Sequence, residues 1–158
     1  MSVLEFCRAV QYSAPLVAMR ASPWLFPVIA TIHLMGLALI GGAVLVVDLR
    51  LLGFGLRNQP VAALAHDAER WLLRGLVIMV ATGSLLFMCF ATKYYYLTFF
   101  WVKMAALILV VLFTLSVRRR VATANEADAS PVRRRLVALV SLFLWTTVAV
   151  GGRYIGFP

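Results

Sequence analysis

Pro23-Trp-Leu-Phe-Pro-Val-Ile-Ala-Thr-Ile-His33-Leu-Met-Gly36-Leu-Ala-Leu-Ile-Gly41-Gly42 runs on through Ala-Val-Leu-Val-Val to Asp48. The whole of Ala21–Val47 is free of charge, and a helix needs roughly 20 apolar residues to cross the hydrocarbon of a bilayer. This stretch therefore reads as a transmembrane helix. At about 1.5 Å of rise per residue, His33 falls about 14 Å below the outer interface at Trp24, near the midplane. An ionisable side chain at that depth is costly, which marks His33 as the first candidate for function.

Three more charge-free runs follow: Gly75–Thr92, Met104–Val117 and Leu136–Gly152. The third is short, and it reaches spanning length if its helix starts near Leu97 and carries Lys103 into the membrane. The chain has 158 residues, of which 63% are hydrophobic and 13% charged, and this balance excludes an ordinary soluble domain. The expected fold is all-α and integral to the membrane. A four-transmembrane-helix bundle over residues 23–158 would have spans at about 23–50, 71–92, 97–117 and 135–157. It would follow a short amphipathic interfacial segment over residues 1–22. That segment places Val3, Leu4, Phe6, Cys7, Val10, Ala14 and Val17 at helical spacing and breaks near Pro15. A secretory leader is not expected there, because no basic region opens it and Glu5 sits inside it.

Basic residues set the expected orientation. Arg50, Arg57, Arg70, Arg74, Arg118–Arg120 and Arg133–Arg135 fall on one side, against Arg8, Arg20, Lys93, Lys103 and Arg153 on the other. The arginine-rich side is assigned to the cytoplasm of a bacterial inner membrane, and both termini to the periplasm. Tyr94–Tyr96, Phe99, Phe100 and Trp101 form an outer aromatic belt, level with Trp24. The net charge of +9 then reports topology and attraction to anionic lipid at the cytoplasmic face, and gives no reason to expect nucleic acid. Ser130 followed by Pro131 predicts the cap and first turn of the fourth helix. The loop before it reads as polar and mobile. Asp48 is expected to pair with Arg70 or Arg74 across the first connection. Cys7 and Cys89 have no metal or redox spacing and read as free thiols.

The polar groups within the spans converge on one leaflet. His33, Lys103 and Arg153 with Tyr154 all lie in the outer half, with no carboxylate at that level. A cluster of that sign suits an anion, such as porphyrin propionates, a quinone oxygen or a lipid phosphate. Gly36, one turn after His33, would either clear room for a flat macrocycle or let a neighbouring helix approach. The imidazole itself has three open readings. It can donate to a carbonyl on another helix, ligate haem b iron, or serve a copper or proton-relay role. Lys103 and Arg153 can equally snorkel to the outer surface. His66 lies on the order of 20 Å from His33 along the membrane normal, too far to share an iron. The sixth position of such an iron would be open, or taken by water, by a methionine such as Met88, or by His33 of a second copy in a homodimer.

Ser22-Pro-Trp-Leu-Phe-Pro, His33-Leu-Met-Gly-Leu-Ala-Leu, Asp48-Leu-Arg-Leu-Leu-Gly53, Thr82-Gly-Ser-Leu-Leu-Phe87, Phe100-Trp-Val-Lys103 and Ser141-Leu-Phe-Leu-Trp145 running to Gly152-Arg153 resemble an uncharacterised bacterial four-span inner-membrane family, a domain of unknown function. That resemblance implies the fold and no established activity. The first-span histidine with its glycines, and the Trp-x-Lys of the third span, are more distantly similar to HemJ-type protoporphyrinogen oxidases. Those are four-helix membrane proteins associated with b-type haem. The resemblance would make His33 and Lys103 the counterparts of that family's first-span histidine and third-span lysine. The family's aromatic after the histidine and its fourth-span Asn-Glu pattern are missing here. The first span also resembles CopD-type copper-resistance proteins.

Three functions are therefore open. One is a membrane redox subunit with haem b in the outer leaflet, held by His33, Gly36, Lys103 and Arg153 and exchanging electrons with quinone or a periplasmic partner. A second is a cofactor-free anchor or assembly subunit for a periplasmic or membrane partner. The third is copper handling or small-ion passage through His33 with Met35 or Met88.

Overall fold

The computed structural model describes residues 2–55, 59–124 and 130–155. Arg57, the loop residues Glu126 and Asp128, and the expected last positions of the fourth span lie outside them. The described residues form helices and no strand: α1 Val3–Gln11, α2 Ala14–Ala21, α3 Leu25–Leu52, α4 Val61–Cys89, α5 Ala91–Tyr96, α6 Thr98–Phe113, a π-helical turn Thr114–Arg118, α7 Arg119–Thr123 and α8 Pro131–Ile155. Four stretches are long and apolar enough to cross a membrane: Leu25–Leu52, Val61–Cys89, Thr98–Thr123 and Pro131–Ile155. The protein is an all-α, multi-pass bundle whose outer surface meets lipid.

Local chemistry sets the ends of these helices. Ser2 and Glu5 form a capping box on α1, each side chain meeting the other residue's backbone N–H. The expected break near Pro15 falls earlier, at Tyr12–Ser13, and Pro15 occupies the first turn of α2, where its missing N–H costs nothing. The Ser22 hydroxyl accepts from the Leu25 N–H at the head of α3. At the other end Gly53 takes φ +94° so that the Phe54 N–H can reach the Leu49 carbonyl. Ser130 caps α8 through the Arg133 N–H, as its sequence predicts.

Two spans start earlier than the charge pattern indicates. Val61 opens α4 about ten residues before the expected start, and Pro131 opens α8 four residues early. A helix that projects beyond the hydrocarbon keeps its backbone bonds, so charged residues such as Asp67 and Glu69 do not end it. The third span corrects the sequence reading more sharply. Arg118 belongs to the π-turn and is buried, and Arg119 and Arg120 continue in α7. Arg118 therefore pairs with Asp48, in place of the expected Arg70 or Arg74.

Packing is layered. α3 lies between α4 and α8, α6 packs on α8, and α4 meets the third span mainly through α7. Ile40, Val44, Met79, Val110, Trp145 and Val148 bring all four spans into one core. A second core of Val47, Leu51, Val61, Val121 and Ala138 closes the arginine-rich end. Gly36 and Gly75 make the α3–α4 crossing tight. A Cβ on Gly75 would lie 2.7 Å from Ile40 Cγ1 and 3.0 Å from the Gly36 carbonyl oxygen.

The N-terminal helices are latched onto the bundle. Arg20 donates to the carbonyls of Cys89 and Gln11, and the Gln11 side chain accepts from the Thr92 N–H. Cys7 and Cys89 are buried free thiols.

Candidate functional site

His33 leaves α3 toward α4. Its Nδ1 lies 2.9 Å from the Thr82 hydroxyl oxygen, and that hydroxyl in turn lies 2.6 Å from the Ile78 carbonyl. A threonine hydroxyl has one proton, and the carbonyl can only accept. With the Thr82 O–H donated to Ile78, the proton between Thr82 and His33 must sit on Nδ1. The Met79 carbonyl also faces the ring. The tautomer that follows has Nδ1–H as donor and an unprotonated Nε2 with its lone pair available.

Glycine makes room for this pair. A Cβ on Gly83 would stand 3.1 Å from His33 Cε1 and 3.6 Å from Nδ1. The same device recurs around Lys103. Its Cβ is 3.3 Å from where a Cβ on Gly151 would be, and its Nζ is 3.3 Å from the corresponding position on Gly152. The Lys103 stem thus lies across the glycine pair of α8, and its ammonium is within electrostatic reach of His33. One site draws on α3, α4, α6 and α8.

An aromatic stack covers the side away from the arginine-rich end. The Phe87, Phe100 and Tyr94 rings lie nearly parallel, with centroids 5.2 Å apart for Phe87–Phe100 and 5.7 Å for Tyr94–Phe100. Phe87 is one turn beyond Gly83, and Phe100 is about one turn before Lys103, so the stack sits a turn from the imidazole–ammonium pair, away from the arginine-rich end. Burial pushes the Tyr94 phenol above its ordinary range, helped by the nearby Cys89 thiol, and keeps it neutral. Phe26 meets Phe90 edge-on and extends the cover to α3.

The expected site residues separate into two groups. His33 and Lys103 come together. Arg153 follows Gly152 at the C-terminal end of α8 with an exposed side chain, next to Tyr154, whose ring stacks on Phe99 at 5.1 Å. Gly36 is taken up by helix packing: a Cβ there would meet Ile78 Cγ2 at 3.1 Å and the Gly75 carbonyl at 3.3 Å. His66 is exposed, 3.8 Å from Asp67, and 16 residues before Thr82 on the same helix, about 24 Å away along its axis. Thr82, Gly83, Gly151 and Gly152 were not among the candidates. The small polar Thr82-Gly83 pair within an apolar span is the signal that points to them.

Haem b needs an imidazole nitrogen with a free lone pair and cations for its propionates. Nε2 of His33 and the Lys103 ammonium have that chemistry. Among the described residues, no three His, Cys, Asp or Glu side chains gather as a metal site. Met35, at 66% exposure, faces outward away from His33's partners.

The model of a family of unknown function, DUF6644, matches residues 26–158. The chain belongs to DUF6644. The match covers all four spans of this DUF6644 chain and both halves of the His33–Lys103 site. No curated protein and no solved structure matches it, so the HemJ-type and CopD-type likenesses rest on the quoted residues alone.

Proposed function

We propose that this multi-pass membrane protein is a haem b-binding redox subunit of the bacterial inner membrane, with both termini on the periplasmic side. The carrying observation is the His33–Thr82–Ile78 hydrogen-bond chain, which fixes the imidazole as an Nδ1–H donor. Metal-ligating histidines are commonly held in this way, with the second ring nitrogen donating to a fixed acceptor. Bound haem would supply one-electron exchange, with quinone in the bilayer or a periplasmic protein as the other party. The protein's part is positional. Thr82 orients the ring, Gly83 makes room for the imidazole and Gly152 for the Lys103 side chain, Lys103 and Arg153 meet the propionates, and the Phe87–Tyr94–Phe100 stack keeps water out. A second copy's His33, Met88 or water would complete the iron.

His33→Ala should abolish the Soret band of protein purified after expression with haem, and His66→Ala should leave it intact. A band retained in the first variant overturns the assignment. Thr82→Val removes the acceptor and leaves the ligand. It should weaken haem affinity by about 10–100-fold, as loss of an outer-shell partner does, while the chain stays folded. Haem titration of the apoprotein measures this, and unchanged affinity would mean that Thr82 does not orient the ring.

A further inference from the structure

A groove opens on the lipid-facing side of the bundle, between α3 and α4, and the haem reading makes no use of it. Ala38, Gly42 and Val46 of α3 form one wall, and Leu64, Asp67 and Trp71 of α4 the other. It begins beside the Gly36–Gly75 crossing and runs toward the arginine-rich end, about 12 Å from Ala38 to Val46. Its volume is about 370 Å³, within the roughly 300–1,000 Å³ typical of ligand pockets. Gly42 keeps it open, since nothing stands within 4 Å of a Cβ added there. Ala38, Gly42, Val46 and Trp71 are all exposed to the bilayer along its length.

The α4 side of the groove is charged in a fixed order. Asp67, Arg70, Trp71 and Arg74 stand at i, i+3, i+4 and i+7, so they share one face of the helix. From the crossing toward the arginine-rich end the order is Arg74, then Trp71 and Arg70, then Asp67. The Arg74 guanidinium reaches back over the Trp71 ring, 5.0 Å from its centre. The Arg70 side chain is exposed, and so is the Asp67 carboxylate, with His66 Nδ1 at 3.8 Å. These residues immediately precede the charge-free run that starts at Gly75, which puts them at headgroup depth with the tryptophan as an interfacial anchor.

A phospholipid lying with its tails toward the crossing presents, in the same direction, its phosphate and then the group the phosphate carries. The phosphate falls to the arginines and the terminal group to Asp67. A carboxylate there suits a primary ammonium, which brings both positive charge and N–H donors. A quaternary ammonium has no N–H to donate, and a glycerol terminus has no positive charge. A second copy of this chain fits less well, because a two-fold contact sets groove against groove and enlarges the space. We propose that the groove is a site for one phospholipid whose headgroup carries a phosphate and a primary ammonium. An acyl chain lies against Ala38 and Gly42, the phosphate meets Arg70 and Arg74, and the ammonium meets Asp67. The site is separate from the His33 cluster and stands with or without haem.

Native mass spectrometry of the full chain tests this, after release from nanodiscs of phosphatidylethanolamine, phosphatidylglycerol and phosphatidylcholine in equal amounts with identical acyl chains. The protein should retain one phosphatidylethanolamine at several-fold higher occupancy than either competitor. Equal retention of the three, or phosphatidylglycerol ahead of the others, overturns the proposal. Gly42→Leu fills the groove without meeting a neighbour at Cβ and should lose the adduct several-fold. Gly41→Leu, equally open at Cβ and outside the lining, should keep it. A dimer that Gly42→Leu dissociates, in place of a lipid adduct, would give the groove to a second copy and sink the lipid site. Asp67 is 75% exposed, so Asp67→Asn leaves the fold alone. It should retain lipid but lose the preference for phosphatidylethanolamine over phosphatidylcholine, and an unchanged preference contradicts the pairing with Asp67.

Discussion

Arg118→Ala should lower the stability of the bundle by about 3–5 kcal/mol, the usual cost of leaving one charge of a buried pair without its partner. Asp48 has no exposure, and Arg118 Nε donates to its Oδ1 at 2.7 Å. Alanine leaves that carboxylate uncompensated in an apolar surround and also frees the Val44 carbonyl. Replacing both members with apolar residues, Asp48→Leu with Arg118→Met, should recover most of the loss, because desolvation of the pair offsets much of its Coulomb attraction. Thermal midpoints in detergent, followed by intrinsic fluorescence, read both effects. An Arg118→Ala protein that melts with the unmutated one would mean the pair contributes no stability.

Gly75→Leu should separate α3 from α4. Even the first added carbon meets Ile40 Cγ1 at 2.7 Å, and the Gly36 carbonyl behind it at 3.0 Å cannot rotate away. Overpacking of this kind costs about 1–3 kcal/mol for a modest addition, and the leucine side chain adds bulk well beyond Cβ. Gly75 lies two turns from Thr82, and Gly36 across the crossing lies one turn from His33, so the same substitution should also lower haem occupancy. Gly41→Ala is the matched control. Nothing lies within 4 Å of its added carbon, and alanine is the better helix former by up to about 1 kcal/mol, so stability should hold or rise. Equal losses at both positions would contradict the close approach.

The number of spans was legible because hydrocarbon excludes charge, and four charge-free runs stand out without any knowledge of packing. Their ends were less so. Asp67, Glu69 and Arg70 look like loop residues beside an apolar run, yet a helix that extends past the hydrocarbon carries them on its surface. Arg118 misled for the opposite reason. It heads a run of three arginines, and only the π-turn sends it inward while Arg119 and Arg120 continue away from it. No local pattern announces that turn.

In the site, His33 and Lys103 were visible because ionisable groups are rare within spans. Thr82 was not, since which hydroxyl meets the imidazole depends on the relative rotation and height of α3 and α4. Gly36 was visible but ambiguous. The same missing side chain serves a ligand or a neighbouring helix, and here Ile78 and Gly75 fill the space.

The most direct test of the central claim is the optical spectrum of detergent-purified protein, oxidised and dithionite-reduced, from cells supplied with haem. The expected result is a Soret band with a b-type α-band on reduction, both absent from His33→Ala. A featureless spectrum from a monodisperse, folded preparation would contradict the haem assignment and leave the His33–Thr82 bond as a helix-to-helix contact.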